Sequence, residues 1–200
     1  MLHWICKNLA WLILRVFFRL RAEGREHIPR HGGFILAGNH VSYLDPLVFG
    51  SACPRALYYM ARDTLFRRPL FAWFLRRIHA FPLKRRAADF EAIRKGLRFL
   101  EAGEGLLIFP EGTRQVGGRA GRAFAGVGFL ARKAGVPVVP AYVSGSDKAL
   151  PKATKKVRLS PIRVVYGPAI PPPAGEEVSD VDHSRRVMEA ILALKSPNDT

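Results

Sequence analysis

The sequence predicts a single α/β domain with a mostly parallel or mixed sheet flanked by helices, entered through an amphipathic, membrane-associating N-terminal helix. Three observations carry this. Two hundred residues are one domain's worth of chain, enough to bury a core. After Gly24, short apolar runs alternate with stretches of helical period, the pattern of strands and the helices that cover them. No internal repeat and no second core interrupt that alternation.

Residues 1–22 form the predicted N-terminal helix. At 100° per residue, Lys7, Asn8, Arg15 and Arg19 fall within one arc of roughly 120°. Trp4, Trp11 and Phe18 lie inside or beside that arc; Leu2, Leu9, Ile13, Val16 and Leu20 lie outside it. Tryptophans beside cations on a wide apolar body suit a helix lying in a headgroup layer. A spanning helix competes on length, but Arg15 in the second half opposes it. Arg15 and Arg19 also break the apolar run that a cleaved signal needs. An ordinary packed helix is the plain alternative.

Residues 23–200 form the expected catalytic domain. Its strand candidates are 34–37, 56–60, 80–83, 106–109, 136–143 and 162–166. In "AADFEAIRKGLRFLEAG", Phe90, Ile93, Leu97 and Leu100 share one face, Glu91 and Lys95 make an i,i+4 pair, and Gly103 can end the helix. "GVGFLARKAG" ends likewise at Gly135. Residues 170–180 are a proline-rich connector, after which Ser179 or Asp180 can cap a final helix (180–195) with Val187, Ile191 and Leu194 inward. Functional residues of such a sheet belong at the carboxyl ends of its strands.

Charge narrows the partners. The chain has 32 Lys and Arg against 16 Asp and Glu, net +16. Residues 1–166 hold 29 basic and 10 acidic residues, while 167–200 hold three and six. So basic a body attracts polyanions: nucleic acid, an anionic membrane surface or phosphorylated substrates. Cys6 and Cys53 have neither disulfide-framework nor zinc spacing, and a reduced, intracellular setting fits them.

The first chemical candidate is "GNHVSYLDP" (38–46). His40 follows a strand, and Asp45 precedes Pro46, whose fixed φ suits a helix start. On one straight helix the two side chains would stand about 140° apart; a curved loop can join them. A carboxylate that fixes the tautomer of an imidazole and supports its imidazolium serves general-base catalysis. In the plainer reading Asp45 only caps the helix and His40 bonds a backbone carbonyl. The second candidate is "GLLIFPEGTRQ" (105–115). Gly112 permits a tight turn whose N–H groups, with the Thr113 hydroxyl, can face an anion. Arg114 offers a planar fork for phosphate. The basic loop "FPLKRR" (81–86) follows another strand. Separately, each is explained by surface solvation or by pairing of Glu111 with Arg114; together they describe a phosphate seat beside a base.

These residues resemble the glycerolipid acyltransferase family, the lysophosphatidate (1-acylglycerol-3-phosphate) O-acyltransferases. Asn39, His40 and Asp45 match the family's N-H-x4-D block. "HAFPLKR" matches its second block, with Arg85 at the arginine. Phe109–Arg114 is identical to F-P-E-G-T-R, and Val136–Pro140 matches V-P-[IV]-[IV]-P. Order and spacing agree over roughly residues 25–170, and "ARDTLFRRPLFAWFLRR" (61–77) resembles the segment between the first two blocks, with Arg62 where lysine is common. His79 departs from the glycine that usually opens the second block, and Phe124-Ala125 replaces basic residues before Gly126.

The resemblance implies acyl transfer from a thioester of acyl carrier protein or coenzyme A to the sn-2 hydroxyl of lysophosphatidate, with no acyl-enzyme, cofactor or metal. In that scheme His40 is the base and Asp45 its support. Arg85 and Arg114 hold the acceptor phosphate, Gly112 and Thr113 shape the pocket, and Glu111 positions the arginine or the glycerol. Backbone N–H groups near the third block stabilise the oxyanion. The implied place is the cytoplasmic face of the cell membrane, as a monotopic protein. Rival readings are a relative acting on another lysolipid, such as a lysophospholipid, an ornithine lipid or a lipid-A precursor; a catalytically silent membrane-surface protein; and a basic nucleic-acid-binding module. The last explains the charge but neither the tryptophan-bearing start nor FPEGTR, and zinc-finger and RNA-binding signatures are absent. No nucleic acid partner is therefore expected.

Overall fold

The apolar run at 34–37 becomes the middle strand of a seven-stranded sheet. The computed structural model describes residues 2–84, 89–114, 125–151, 156–175, 178–197 and 199. In chain order the elements are α1 (Leu2–Phe17), β1 (Arg21–Glu23), β2 (Phe34–Gly38), α2 (Asp45–Ala52), β3 (Leu57–Arg62), α3 (Pro69–Arg77), β4 (Ala80–Leu83), α4 (Phe90–Glu101), β5 (Gly105–Ile108), α5 (Gly126–Ala134), β6 (Val138–Ser144), α6 (Ser146–Ala149), β7 (Arg163–Tyr166) and α7 (Asp180–Ala193). Short 3₁₀ turns at Arg25–His27 and Asp63–Arg67 join them. The strand order is β1-β7-β6-β2-β5-β3-β4. All neighbours are parallel except β6 and β7, so the sheet is mixed, as the alternation predicts.

Because β2 is buried on both faces, its side chains divide between two cores. Phe34 and Leu36 join a cluster with Leu14 and Phe18, Val48 and Phe49 of α2, and Tyr166. Ile35 and Ala37 join one with Ala92 and Leu100 of α4, Val127 and Leu130 of α5, and Val187 and Ile191 of α7. Helices therefore cover both faces. The expected helix ends hold: Gly103 and Gly135 are left-handed (φ +84° and +62°), and Ser179 accepts from the Asp182 N–H.

Several boundaries move. The N-terminal helix stops at Phe17, not at 22: Arg19 takes φ +47°, the Leu20 N–H turns back to the Leu14 carbonyl, and Ile162 bonds Phe18. Arg21–Glu23 then pairs with β7. That strand carries no apolar signal of its own; its partner specifies it. The strand expected from Val136 starts at Val138, because the Val136 N–H closes the end of α5 on Ala131. His79 takes φ +69°, the left-handed conformation that glycine adopts most readily, so the turn keeps a glycine-like backbone despite the histidine. Arg85 and Phe124 lie outside the described residues.

The exposed side of α1 is mostly apolar, with Asn8 and Arg15 within it. His3, Ala10 and Leu14 are buried, and the Lys7 ammonium reaches the Cys53 and Arg55 carbonyls. Ile5, Leu9, Leu12, Ile13 and Val16 are exposed. Among the described residues, no helix is long and apolar enough to cross a membrane.

Candidate active site

β2 and β5 are parallel neighbours, so their carboxyl ends deliver the first and third motif blocks to one edge of the sheet. Asn39, buried just past β2, accepts from the Val143 N–H at 2.7 Å and donates to the Val143 carbonyl at 2.9 Å. That double bond to β6 fixes where the chain turns. His40 then starts the loop, and its Nδ1 lies 2.8 Å from Asp45 Oδ2.

Asp45 is fully buried and heavily hydrogen-bonded. Its Oδ2 also accepts the Val41 and Ser42 N–H groups, each at 2.7 Å, and its Oδ1 accepts the Ser146 hydroxyl at 2.6 Å. The expectation that Asp45 caps the helix is corrected here. It is the first residue of α2, whose cap position is Leu44 with no side-chain capping bond; its oxygens are occupied by the preceding loop and by α6. Because the carboxylate accepts, Nδ1 carries the imidazole proton and Nε2 keeps a lone pair for a reactant. The His40 ring stacks on Phe109, with centroids 4.0 Å apart and planes 16° from parallel. Its side chain is 12% exposed, enough to be reached from one side.

The third block closes on the first. Glu111 Oε2 accepts the His40 N–H at 3.2 Å, so this buried carboxylate tethers the His40–Asp45 loop. Gly112 has φ +62°, the turn conformation expected of it. The Gly112 N–H, however, bonds Phe109 O at 2.9 Å, and the Thr113 N–H bonds Glu111 O at 2.7 Å. Those two amides close the turn on itself, so neither faces an anion or an oxyanion as the motif suggested. Arg114 Cζ stands 3.4 Å from the centroid of Tyr43, a residue of the His40–Asp45 loop. Arg114 Nη1 is buried and has no hydrogen-bond partner among the described residues, a guanidinium donor held in reserve. Lys84 follows the last residue of β4, at the same sheet edge and three strands from β2; Arg85 beyond it is not described.

Nucleophilic alternatives are weak. Ser42 Oγ donates to Leu150 O and accepts the Leu44 N–H, Ser146 is fully buried, and burial pushes the Cys53 thiol pKa up, away from the reactive thiolate. Among the described residues, no group of three or more His, Cys, Asp or Glu side chains could hold a metal. Five contacts escaped the sequence reading: Ser146 on Asp45, Phe109 on His40, Asn39 on β6, Tyr43 on Arg114, and Glu111 on the His40 N–H, where the resemblance implies the arginine or the glycerol. Asn39 and Phe109 stand inside quoted motifs, and that was their signal. Ser146 lies 101 positions from Asp45 and has none.

Fold and geometry together define an α/β protein with an imidazole–carboxylate pair and a poised arginine at one sheet edge, an arrangement suited to activating an alcohol. The Acyltransferase family model matches residues 19–144, and the chain belongs to that family. It is 28% identical over 158 residues to the chloroplastic 1-acyl-sn-glycerol-3-phosphate acyltransferase LPAT1 of Arabidopsis thaliana, covering 78% of this chain and 44% of that one. It is 33% identical over 110 residues to the 1-acyl-sn-glycerol-3-phosphate acyltransferase of Bacillus subtilis, covering 54% and 55%. The chain thus spans about half the length of these curated relatives. The crystal structure of the 1-acyl-sn-glycerophosphate acyltransferase PlsC from Thermotoga maritima superposes with a TM-score of 0.78 at 23% identity, over 97% of this chain and 81% of that one. It shares the fold.

Proposed function

We propose that this protein transfers a fatty acyl group from an acyl thioester to the sn-2 hydroxyl of lysophosphatidate, giving phosphatidate. The observation that carries the reading is the His40–Asp45 contact of 2.8 Å, with Nε2 left to take a proton. His40 removes the hydroxyl proton as that oxygen attacks the thioester carbonyl; the thiolate leaves and takes up a proton as the tetrahedral intermediate collapses. Asp45 holds the tautomer and balances the imidazolium. Arg114, fixed against Tyr43, offers to the acceptor phosphate its Nη1, which has no partner among the described residues, and Arg85 supplies a second cation. Glu111 acts through the His40 backbone and positions the base. The thioester carrier is acyl carrier protein or coenzyme A, both anionic and so attracted to a chain of net charge +16. No cofactor and no nucleic acid partner enters this reading.

Both lipids are amphiphiles, so the enzyme works at the cytoplasmic face of the cell membrane as a monotopic protein. The exposed apolar ridge of α1 lies in the interface there. The test is mass-spectrometric product analysis of the purified protein with lysophosphatidate, other lysophospholipids and an ornithine lysolipid, each with both donors. Lysophosphatidate is expected to be the preferred acceptor, and His40→Ala to lower turnover by about 10²–10⁴-fold. Undiminished turnover by the folded variant would overturn the assignment of the base; preference for another lysolipid would reassign the acceptor.

A further inference from the structure

The segment 62–77 carries five arginines and a single acid, Asp63, and the catalytic scheme above uses none of it. It leaves the carboxyl end of β3, passes the 3₁₀ turn Asp63–Arg67, and returns along α3 to the start of β4. α3 buries Ala72 and Leu75. At 100° per residue the opposite face is centred on Leu70 and Arg77, with Trp73 and Phe74 on either side and Arg76 farther round. A helix covering a water-soluble domain carries polar residues on that side. Here Leu70 is 82% exposed and Trp73 51%. Arg77 Cζ lies 5.2 Å from the Trp73 ring centroid, and Arg76 Cζ 5.8 Å from that of Phe66. Cations held beside aromatic rings on an outward apolar face match a lipid headgroup layer, where rings sit at the interface and guanidinium groups meet phosphates.

The position fits as well. His79, two residues beyond α3, stacks on His3 of α1 with centroids 4.0 Å apart, so the far end of α3 meets the start of the apolar helix. The 3₁₀ turn lies at the carboxyl end of β3, the same sheet edge as His40, two strands from β2.

We infer that α3, with the turn before it, is a second bilayer-docking element: Leu70, Trp73 and Phe74 enter the interface of an anionic membrane, and the neighbouring arginines bind its phosphate headgroups. α1 then supplies apolar insertion and α3 supplies selectivity for negative lipid. This rests on the reading that the protein works at a membrane surface but not on acyl transfer, and its test uses no substrate.

The full chain with Trp4 and Trp11 replaced by Phe leaves Trp73 as the only tryptophan. On adding phosphatidylglycerol-containing vesicles its emission shifts to the blue and is quenched by brominated acyl chains; emission that does not move overturns the inference. Leu70→Glu/Trp73→Glu in the otherwise unaltered chain lowers vesicle partitioning at least tenfold. Arg67, Arg68, Arg76 and Arg77→Gln weakens binding to anionic vesicles by about fivefold per engaged arginine and leaves binding to neutral phosphatidylcholine vesicles unchanged. Circular dichroism and turnover of detergent-dispersed substrate check that both variants are folded. Retained vesicle binding with lost affinity for acyl carrier protein would assign the arginines to an acidic protein and overturn the lipid assignment. So would lipid-free dimerisation abolished by Leu70→Glu, which would make the face a contact between copies. Leu9→Glu/Leu12→Glu reports separately on α1, so failure of either element is distinguishable.

Discussion

Asp45→Asn removes one charge and almost no volume, and the structure says how the amide settles. Asp45 Oδ2 faces three N–H donors, from His40, Val41 and Ser42, so the amide oxygen takes that place. The amide NH₂ then meets the Ser146 hydroxyl, which bonded the other oxygen at 2.6 Å. A hydroxyl can turn and accept, so all four contacts survive and the fold is retained. What is lost is the attraction between a carboxylate and the imidazolium that forms during transfer. At the 2.8 Å contact and an effective dielectric of about 20, that attraction is about 6 kcal/mol. Half of it is equivalent to a factor of about 10² in rate and all of it to about 10⁴. We therefore expect kcat to fall by about 10²–10⁴-fold at nearly constant KM for both substrates. Thiol release followed with a chromogenic disulfide gives kcat, and circular dichroism confirms the fold. A folded Asp45→Asn protein within threefold of the parent kcat would refute the argument that Asp45 acts by its charge.

Three other predictions follow from buried polar contacts. Ser146→Ala strips Asp45 Oδ1 of its donor; kcat falls about tenfold with KM unchanged, and stability drops by about 1.5–3 kcal/mol in urea titration, whereas a change in KM alone would mark a different role. Asn39→Ala leaves the Val143 N–H and carbonyl unpaired beneath the sheet edge, costing about 2–4 kcal/mol; a loss below about 0.5 kcal/mol would refute the clamp. Acid destabilises the junction of α1 with β4. Burial, then His79 and Lys7, lower the His3 pKa from 6.5 to about 4, and burial lowers that of His79 against the opposing pull of Glu104. The unfolded chain thus binds more protons in that interval, so this stability is full above pH 6.5 and is lost as pH falls toward 4. Melting temperatures across that range should fall in the parent and fall less in His3→Phe; equal slopes would refute the assignment.

Much of the fold was legible because burial on both faces and helical period are written locally: Phe34–Ala37 read as a strand and is one, and Ile93, Leu97 and Leu100 pack inward from α4 as their spacing suggests, although Phe90, read on the same face, is exposed. The strand Arg21–Glu23 was not, since its pairing with β7 is a property of the partner. The site divides the same way. Motif spacing brought His40, Asp45, Glu111 and Arg114 to one edge, yet the local reading of Asp45 as a cap failed. Proximity to the helix start is visible in sequence, while competition for its oxygens by the loop and by Ser146 is tertiary. The amides of Gly112 and Thr113 failed for a related reason: a tight turn offers its own carbonyls first, and the sequence does not reveal which acceptor wins.

The Lys7 contact has a mechanical consequence. Helix α2 is an eight-residue rod with the Asp45 carboxylate at its first residue; the Lys7 ammonium grips the carbonyls just past its last turn, where the negative end of the helix dipole welcomes a cation. The first helix of the chain is therefore tied to the far end of the short helix that begins with the aspartate paired to His40. Where the first helix seats, the His40–Asp45 pair is seated with it.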